Sequence, residues 1–274
     1  MTIVRSLLER EMSLNKVLRL CGMTKKRWYH KPKRREAAID LDLLRMIREI
    51  RDERPFYGTR RVAAEVSRRL DRAVNRKAVR RIYRMMGWDE PQSMRAARAR
   101  WTPIKADRPN EVWETDITYV WCGPVDGRCF CFNVLDIFTR QWLAYRFGTL
   151  ATADVAIESL VEAVAAAKPD CSRLTLQCDN GSQYAGKKFR KAASLLGIHL
   201  SFIRTHTPEQ NGHIESFHGT LKREYIWPHD FANYQQAEAV ISEAFRDYNQ
   251  TRLHSALKYV PPAEFLASWE ARRK

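Results

Sequence analysis

Residues 112–121 read Val112-Trp113-Glu114-Thr115-Asp116-Ile117-Thr118-Tyr119-Val120-Trp121, and the alternation in this stretch decides how the second half of the chain folds. Successive side chains of a strand point to opposite faces, so Trp113, Ile117, Tyr119 and Trp121 share one face while Glu114, Asp116 and Thr118 share the other. The pattern predicts a strand with one apolar face and one that offers Asp116 to a polar cleft. Working outward, a period of two returns over 128–135 and 141–147, with turn signals at Gly123-Pro124, at Gly127 and around Thr139-Arg140. An alanine-rich helix is predicted over 152–167, then a strand over 173–178, a helix over 184–196 closed by Gly197, and a strand over 198–203. Beyond Pro208, helices are predicted near 211–226 and 234–249. Three strands followed by alternating helices and strands make an α/β fold, a mixed sheet flanked by helices.

The first part of the chain has a different character. Of the 274 residues, 1–108 carry 30 Lys and Arg against 13 Asp and Glu, a net +17, while 109–274 carry 18 against 19, a net −1; together they give the overall +16. A basic half suited to a polyanion and a near-neutral half able to hold an acidic site is the natural division. No apolar run approaches the roughly 18 residues of a membrane span, and Met1–Arg10 is charged rather than shaped like a signal peptide. A soluble, intracellular protein with no membrane partner is expected. The six cysteines include no C-x-x-C pair and read as reduced, packed thiols.

Within the basic part, 13–30 predicts two short helices hinged at Gly22, the second capped by Thr24 and opening with Lys25, Lys26 and Arg27. They fit the start of a groove-reading helix and equally a solvated basic face. A helix starting at Asp40 carries Leu41, Leu44, Ile47 and Ile50 and ends before Pro55. Gly58-Thr59 opens a helix carrying Val62, Val66 and Leu70. Asn75 caps a third carrying Val79, Ile82, Tyr83 and Met86, closed by Gly87, and this last helix displays Arg76, Lys77, Arg80, Arg81 and Arg84. Three short helices with a basic final member suit a helix-turn-helix or winged DNA-binding fold. The expected organisation is a helix-turn-helix-like segment over 1–36, a helical DNA-binding domain over 37–90, a basic linker over 91–110 that tracks phosphates or simply tethers, and a catalytic core over 111–274.

Three acids stand in distinctive settings: Asp116 on the first strand, Asp179 where Leu174, Leu176 and Cys178 run into the turn Asn180-Gly181, and Glu215 on a helix whose apolar stripe is Ile214, Phe217, Leu221 and Tyr225. Hard divalent cations take carboxylate oxygens, and paired cations stabilise both the attacking and the leaving oxygen of a phosphodiester displacement. Two magnesium ions, bridged by Asp116 and replaceable by manganese, would serve here, and no covalent protein intermediate is needed. Each acid alone is weak evidence, and Glu114, Asp136, Glu209 and Glu224 lie nearby as competitors.

The motifs Trp113-x-x-Asp116-x-Thr118-Tyr119, Asp179-Asn180-Gly181-Ser182-x-Tyr184, Pro208-x-x-Asn211-Gly212-x-x-Glu215-Ser216-Phe217, Leu221-Lys222 and Tyr248-Asn249-x-x-Arg252-x-His254, with 35 residues between Asp179 and Glu215, resemble the core of DDE transposases and retroviral-type integrases. The chain looks like the insertion-sequence branch, because it lacks a paired His and Cys zinc module at its start. The resemblance implies a ribonuclease-H-like catalytic fold preceded by all-helical helix-turn-helix regions, with Asp116, Asp179 and Glu215 as metal ligands. It implies that Lys222 contacts the element's terminal DNA, and Asn180 and Asn211 of the motifs are expected at the DNA as well. The implied reaction is cleavage at the ends of an insertion sequence and joining to target DNA. The implied partners are terminal-repeat and target DNA, a second copy or a larger synaptic assembly, and a small protein from an upstream frame, in a bacterial cytoplasm at the nucleoid. The alternatives are a transposase-derived DNA-binding protein and a structure-selective nuclease of the same fold.

Overall fold

The computed structural model describes residues 12–29, 40–88, 104–203 and 211–273. Those up to Leu41 belong to one compact unit and those from Asp42 to a second. In the first, α1 (Leu14–Leu20) and α2 (Lys25–Trp28) are joined through Gly22, whose φ of +62° favours glycine. The Thr24 hydroxyl accepts from Arg27 N at 3.3 Å. Met12, Leu14, Cys21, Met23 and Trp28 pack about Val17 and Leu18. Lys25, Lys26 and Arg27 are all exposed.

The second unit opens within α3 (Leu41–Glu53), at Asp42, and continues with α4 (Thr59–Arg69) and α5 (Arg76–Met85). Their core holds Leu43, Ile47, Ile50, Tyr57, Val62, Val66, Val79, Ile82 and Tyr83. The buried stripe of α3 passes through Leu43, so Leu41, expected inside, is 71% exposed. Met86 likewise lies past the end of α5 and is exposed. Of the linker expected over 91–110, residues up to Pro103 lie outside the described part.

The sheet that follows has the order β3-β2-β1-β4-β5. β1 (Val112–Trp121), β2 (Arg128–Asp136) and β3 (Trp142–Gly148) form an antiparallel meander, with the short helix α6 (Gly123–Asp126) in the first turn. A parallel return needs a long crossover, supplied by α7 (Ala153–Ala167), so β4 (Thr175–Cys178) lies beside β1; β5 (His199–Phe202) follows parallel to β4. The strand expected from 173 starts at Thr175 because Asp170 caps a 3₁₀ turn over Cys171–Arg173. The helix expected over 184–196 is two pieces, α8 (Ser182–Ala185) and α9 (Lys187–Leu195), divided at Gly186.

Both faces of the sheet are covered. On one, Trp113, Phe132, Val134 and Ala144 pack against Leu160 of α7 and Phe189 of α9. On the other, Val120, Cys129, Cys131 and Leu135 pack against Ile214, Phe217 and Leu221 of α10 (Gly212–Leu221) and Ile241 and Tyr248 of α11 (Tyr234–Gln250). The side of β1 carrying Glu114, Asp116 and Thr118 is therefore roofed by α10 rather than open, and Glu114 and Thr118 are buried. The expected apolar face is corrected as well: Tyr119 is 55% and Trp121 62% exposed, because β4 lies beside only Val112–Glu114 and leaves the far end of β1 at a rim.

The helix expected over 211–226 is α-helical only to Leu221. Lys222–Ile226 form a π-helical turn, closed by Trp227 N donating to Lys222 O at 2.7 Å. A last helix, α12 (Pro262–Ala271), went unpredicted although Pro261-Pro262 marks its start; its Phe265 and Trp269 pack on Phe138.

Candidate active site

β1 and β4 pair Val112 with Thr175, Trp113 with Leu176 and Glu114 with Gln177. Carried two residues past the last pair, that register sets Asp116 level with Asp179, on one face of two diverging strands. β4 ends because the chain turns. Gly181 N donates to Asp179 Oδ1 at 2.9 Å, and Asn180 Nδ2 donates to Ile203 O at 2.8 Å. A methyl group at Gly181 would stand 2.9 Å from Asp179 Oδ1, so glycine leaves the carboxylate where the turn holds it.

Glu215 comes from α10, which lies on that same face with Ile214 and Phe217 inward and Glu215 exposed. The first turn of a helix has N–H groups without partners in the helix. Glu114 Oε2 takes one of them, accepting from Ile214 N at 2.6 Å, so the residue two before Asp116 ties β1 to the helix bearing Glu215. Asn211 occupies the N-cap position but is buried, and its Oδ1 has no partner among the described residues. Asn180 is exposed beside Asp179.

Electrostatics places the three acids in one neighbourhood. Burial pushes the pKa of Asp116 up to about 7, Asp179 and Glu215 add to the rise, and the Ile117 N–H and Lys222 oppose it. Among the described residues, no group of three or more His, Cys, Asp or Glu side chains forms a ready-made ion site. The donor set still fits a hard divalent cation: carboxylates on one face, repelling one another through a poorly solvated space, are what such a charge relieves.

His218, one turn beyond Glu215, is a residue the sequence reading passed over. It is buried, which drives its pKa down to about 3, with Lys222 contributing, so the ring is neutral. Asn133 Nδ2 faces Nε2 at 3.1 Å while also donating to Cys131 O, and Asn133 Oδ1 accepts from Cys131 Sγ. This orientation makes Nε2 the acceptor and assigns the proton to Nδ1, which faces Asp116 Oδ2 at 3.6 Å. At the rim, Lys222 Nζ sits 4.6 Å and Arg128 Cζ 5.0 Å from the centroid of the Tyr119 ring. Arg128 was also missed; its only sequence signal is its place opposite Trp121 across the hairpin.

The competing acids have other tasks. Glu114 caps α10; Asp136 accepts from Asn110 N, Phe138 N and Thr139 N; Glu224 pairs with Arg252. Glu209 lies outside the described residues, as does Pro208. Lys77, Arg80 and Arg81 are exposed on α5, whereas Arg76 is half-buried and donates to Thr59 Oγ1 at 3.0 Å. These four stand on a different element from the acids, and Lys25, Lys26 and Arg27 belong to the first unit.

The shifted groups set a pH dependence. Burial also raises Glu114 to about 7 and, in the opposite sense, lowers His213 to about 4 and His254 to about 2. An acid with a raised folded pKa contributes stability below its unfolded pKa that is lost as pH climbs through the folded value. A histidine with a lowered pKa contributes stability above about 6.5 that is lost on acidification. As pH rises from 6.5 to 8, unfolded histidine sheds the half proton it still carries, so His213, His218 and His254 gain a little stability while Glu114 and Asp116 lose more. Without divalent ions, the melting temperature is expected to fall by about a degree or two as pH rises from 6.5 to 8, and added magnesium to raise it again. A flat profile that magnesium leaves unmoved would contradict this.

With this geometry in view, known proteins add the following. The sequence profile described as "Integrase core domain" matches residues 106–208 and a second of the same description 196–262, while "HTH-like domain" matches 38–95. An insertion element IS407 protein of 31.7 kDa from Burkholderia multivorans is 31% identical over 239 residues, covering 81% of this chain and 80% of the relative. Transposase InsD of insertion element IS2 from Escherichia coli is 30% identical, covering 83% and 79%. The chain belongs to the insertion-element transposase family. Among solved structures, the magnesium-bound HTLV-2 integrase catalytic core is 16% identical with a TM-score of 0.47, over 59% of this chain and 99% of that one. By its profiles and relatives the transposase is a DNA-binding, DDE-type polynucleotidyl transferase, with a core that is ribonuclease-H-like in its sheet order and a helix-turn-helix-like region before it. No helix among its described residues is long and apolar enough to cross a membrane.

Proposed function

We propose that Asp116, Asp179 and Glu215 together hold two magnesium ions, or manganese in their place, and that the transposase uses them to cut and rejoin DNA at the ends of its element. The observation that supports this reading is the register that brings Asp116 level with Asp179 where β1 and β4 part, with the Glu215 helix tied to the same face of β1 through Glu114. Bound there, the ions would supply Lewis acidity toward phosphate oxygens. The chain's own residues do the rest: Glu114 keeps the Glu215 helix against β1, Gly181 and Asn180 hold the turn at Asp179, and Lys222 meets the phosphate backbone. In the first reaction a water oxygen bonds to phosphorus, the bond to the 3′ oxygen breaks, and that oxygen takes a proton to leave as a hydroxyl. In the second that hydroxyl loses its proton to solvent, bonds to a target phosphorus and displaces the target's own 3′ oxygen.

Repeat recognition falls to the 37–90 domain, with Arg76, Lys77, Arg80 and Arg81 along α5, and to Lys25, Lys26 and Arg27 of the 1–36 segment; Asn180 and Asn211 are assigned to DNA next to the acids. Residues 91–110 link these to the 111–274 core. Two copies or more bring two ends together at the nucleoid, with a small upstream-frame protein as an additional partner. The test is an oligonucleotide carrying the element's terminal repeat, incubated with magnesium, manganese or calcium and scored for cut and joined strands. Magnesium-dependent joining is expected, with binding that weakens by about 10³-fold or more from 50 to 200 mM salt if the basic region neutralises 6–10 phosphates. Cutting without joining and without regard to the repeat would leave a structure-selective nuclease instead.

A further inference from the structure

We infer that Arg54, Asp247, Tyr225, Arg61, Glu224 and Arg252 form a latch that fixes the spacing between DNA held by the helical module and the acids, and so selects the phosphodiester that is cut. This rests on the proposed function.

The latch joins the end of α3 and the start of α4 to α11 and the π-helical turn. Arg54 grips Asp247 with both terminal nitrogens at 2.6 Å, and the Tyr225 hydroxyl donates to the same carboxylate at 2.6 Å. Arg252, 2% exposed, grips Glu224 through Nε and Nη2 at 2.7 Å, and Arg61 Nη1 lies 3.8 Å from the same carboxylate. Leu253 N donates to the Tyr57 hydroxyl at 2.9 Å, and the Leu253 side chain is buried in the helical module's core.

The place where these contacts converge points to register rather than to adhesion alone. Glu224 and Tyr225 are neighbours in the π turn, which directly continues the helix bearing Glu215 and itself begins with Lys222. The helical module thus holds the far end of the element carrying one acid and the DNA-facing lysine. Forked, paired hydrogen bonds fix an angle and a distance, which an apolar contact of equal area leaves free to slide. Buried ion pairs add little net stability over apolar substitutes, so their expected contribution is a unique arrangement. A π turn inside a helix is itself uncommon and costs regular hydrogen bonding.

The experiment maps cut positions at nucleotide resolution on repeat-bearing DNA, using the full chain with magnesium. Arg54→Lys, Arg54→Ala and Arg61→Ala are compared with Arg68→Ala, which removes an exposed pair with Glu264 between the same modules but away from the π turn. The Arg54 and Arg61 variants are expected to bind the repeat as wild type does but to spread cuts over flanking phosphodiesters, and Arg68→Ala to cut at one position. A single wild-type cut position in the Arg54 variants, at any rate, overturns the inference and leaves a stabilising contact only. Should Arg54→Ala fail to fold, Arg54→Lys, which keeps the charge and loses the fork, decides. Wild type that does not cut at all would instead sink the proposed function.

Discussion

Asp116→Asn is expected to lose strand cleavage and joining by at least about 10³-fold while binding repeat DNA as well as wild type. Loss of one preorganised electrostatic group in an active site costs roughly 10²–10³ in rate, and a ligand of the proposed ions would lose at least as much. The change is close to isosteric. Asparagine Oδ1 can keep the Ile117 N–H that Asp116 holds at 2.8 Å. It also removes a charge that sits in a poorly solvated place among like charges, so the variant should melt no lower than wild type without metal at pH 8. Asp179→Asn and Glu215→Gln should behave alike in the cleavage assay. Magnesium-dependent joining above background by any of the three would remove it from the assigned set, and loss of DNA binding would mean that the substitution had damaged more than chemistry.

Arg252→Ala is expected to cost about 3–5 kcal/mol of stability, because it leaves the Glu224 carboxylate in a buried place without its main partner. Burial works against the charge on Arg252, but its pairing with Glu224 outweighs this and raises its pKa. Arg61, 3.8 Å from Glu224, can make good only part of the loss, since its own burial already disfavours its charge. For a chain of this size the drop in melting temperature is on the order of 10 °C. Replacing both partners with methionine should recover much of it, because neither charge is then stranded. A single variant that melts within a degree or two of wild type would show that water reaches Glu224 and that the pair is not the buried contact described here.

What the sequence discloses and what it conceals divide along one physical line. Strand period, helix stripe, the Asn75 cap and the Asn180-Gly181 turn are written in residues a few positions apart, so the strands, the main helices and the elements that carry Asp116, Asp179 and Glu215 are legible, whereas the helix that roofs Asp116 is not. Glu114 could be named only as a competitor, because its bond to Ile214 spans 100 positions. His218 gave no signal, since its meaning depends on Asn133, 85 positions away. Tyr119 and Trp121 alternate like core residues and stand at the surface, because the length of β4, not the pattern of β1, decides where cover ends. The latch was invisible for the same reason: Arg54 and Asp247 are 193 positions apart and each looks like an ordinary solvated charge.

The parting of β1 from β4 has one more consequence. Backbone rungs lock neighbouring strands at a fixed pitch, but the ladder between these two stops at Glu114 and Gln177, two residues short of Asp116 and Asp179. The gap between Asp116 and Asp179 is therefore governed by rotamers and one tight turn, like the jaws of pliers above a fixed pivot. A change in that gap breaks no rung of the sheet, so the spacing of these two side chains is separable from the rigidity that keeps the protein folded.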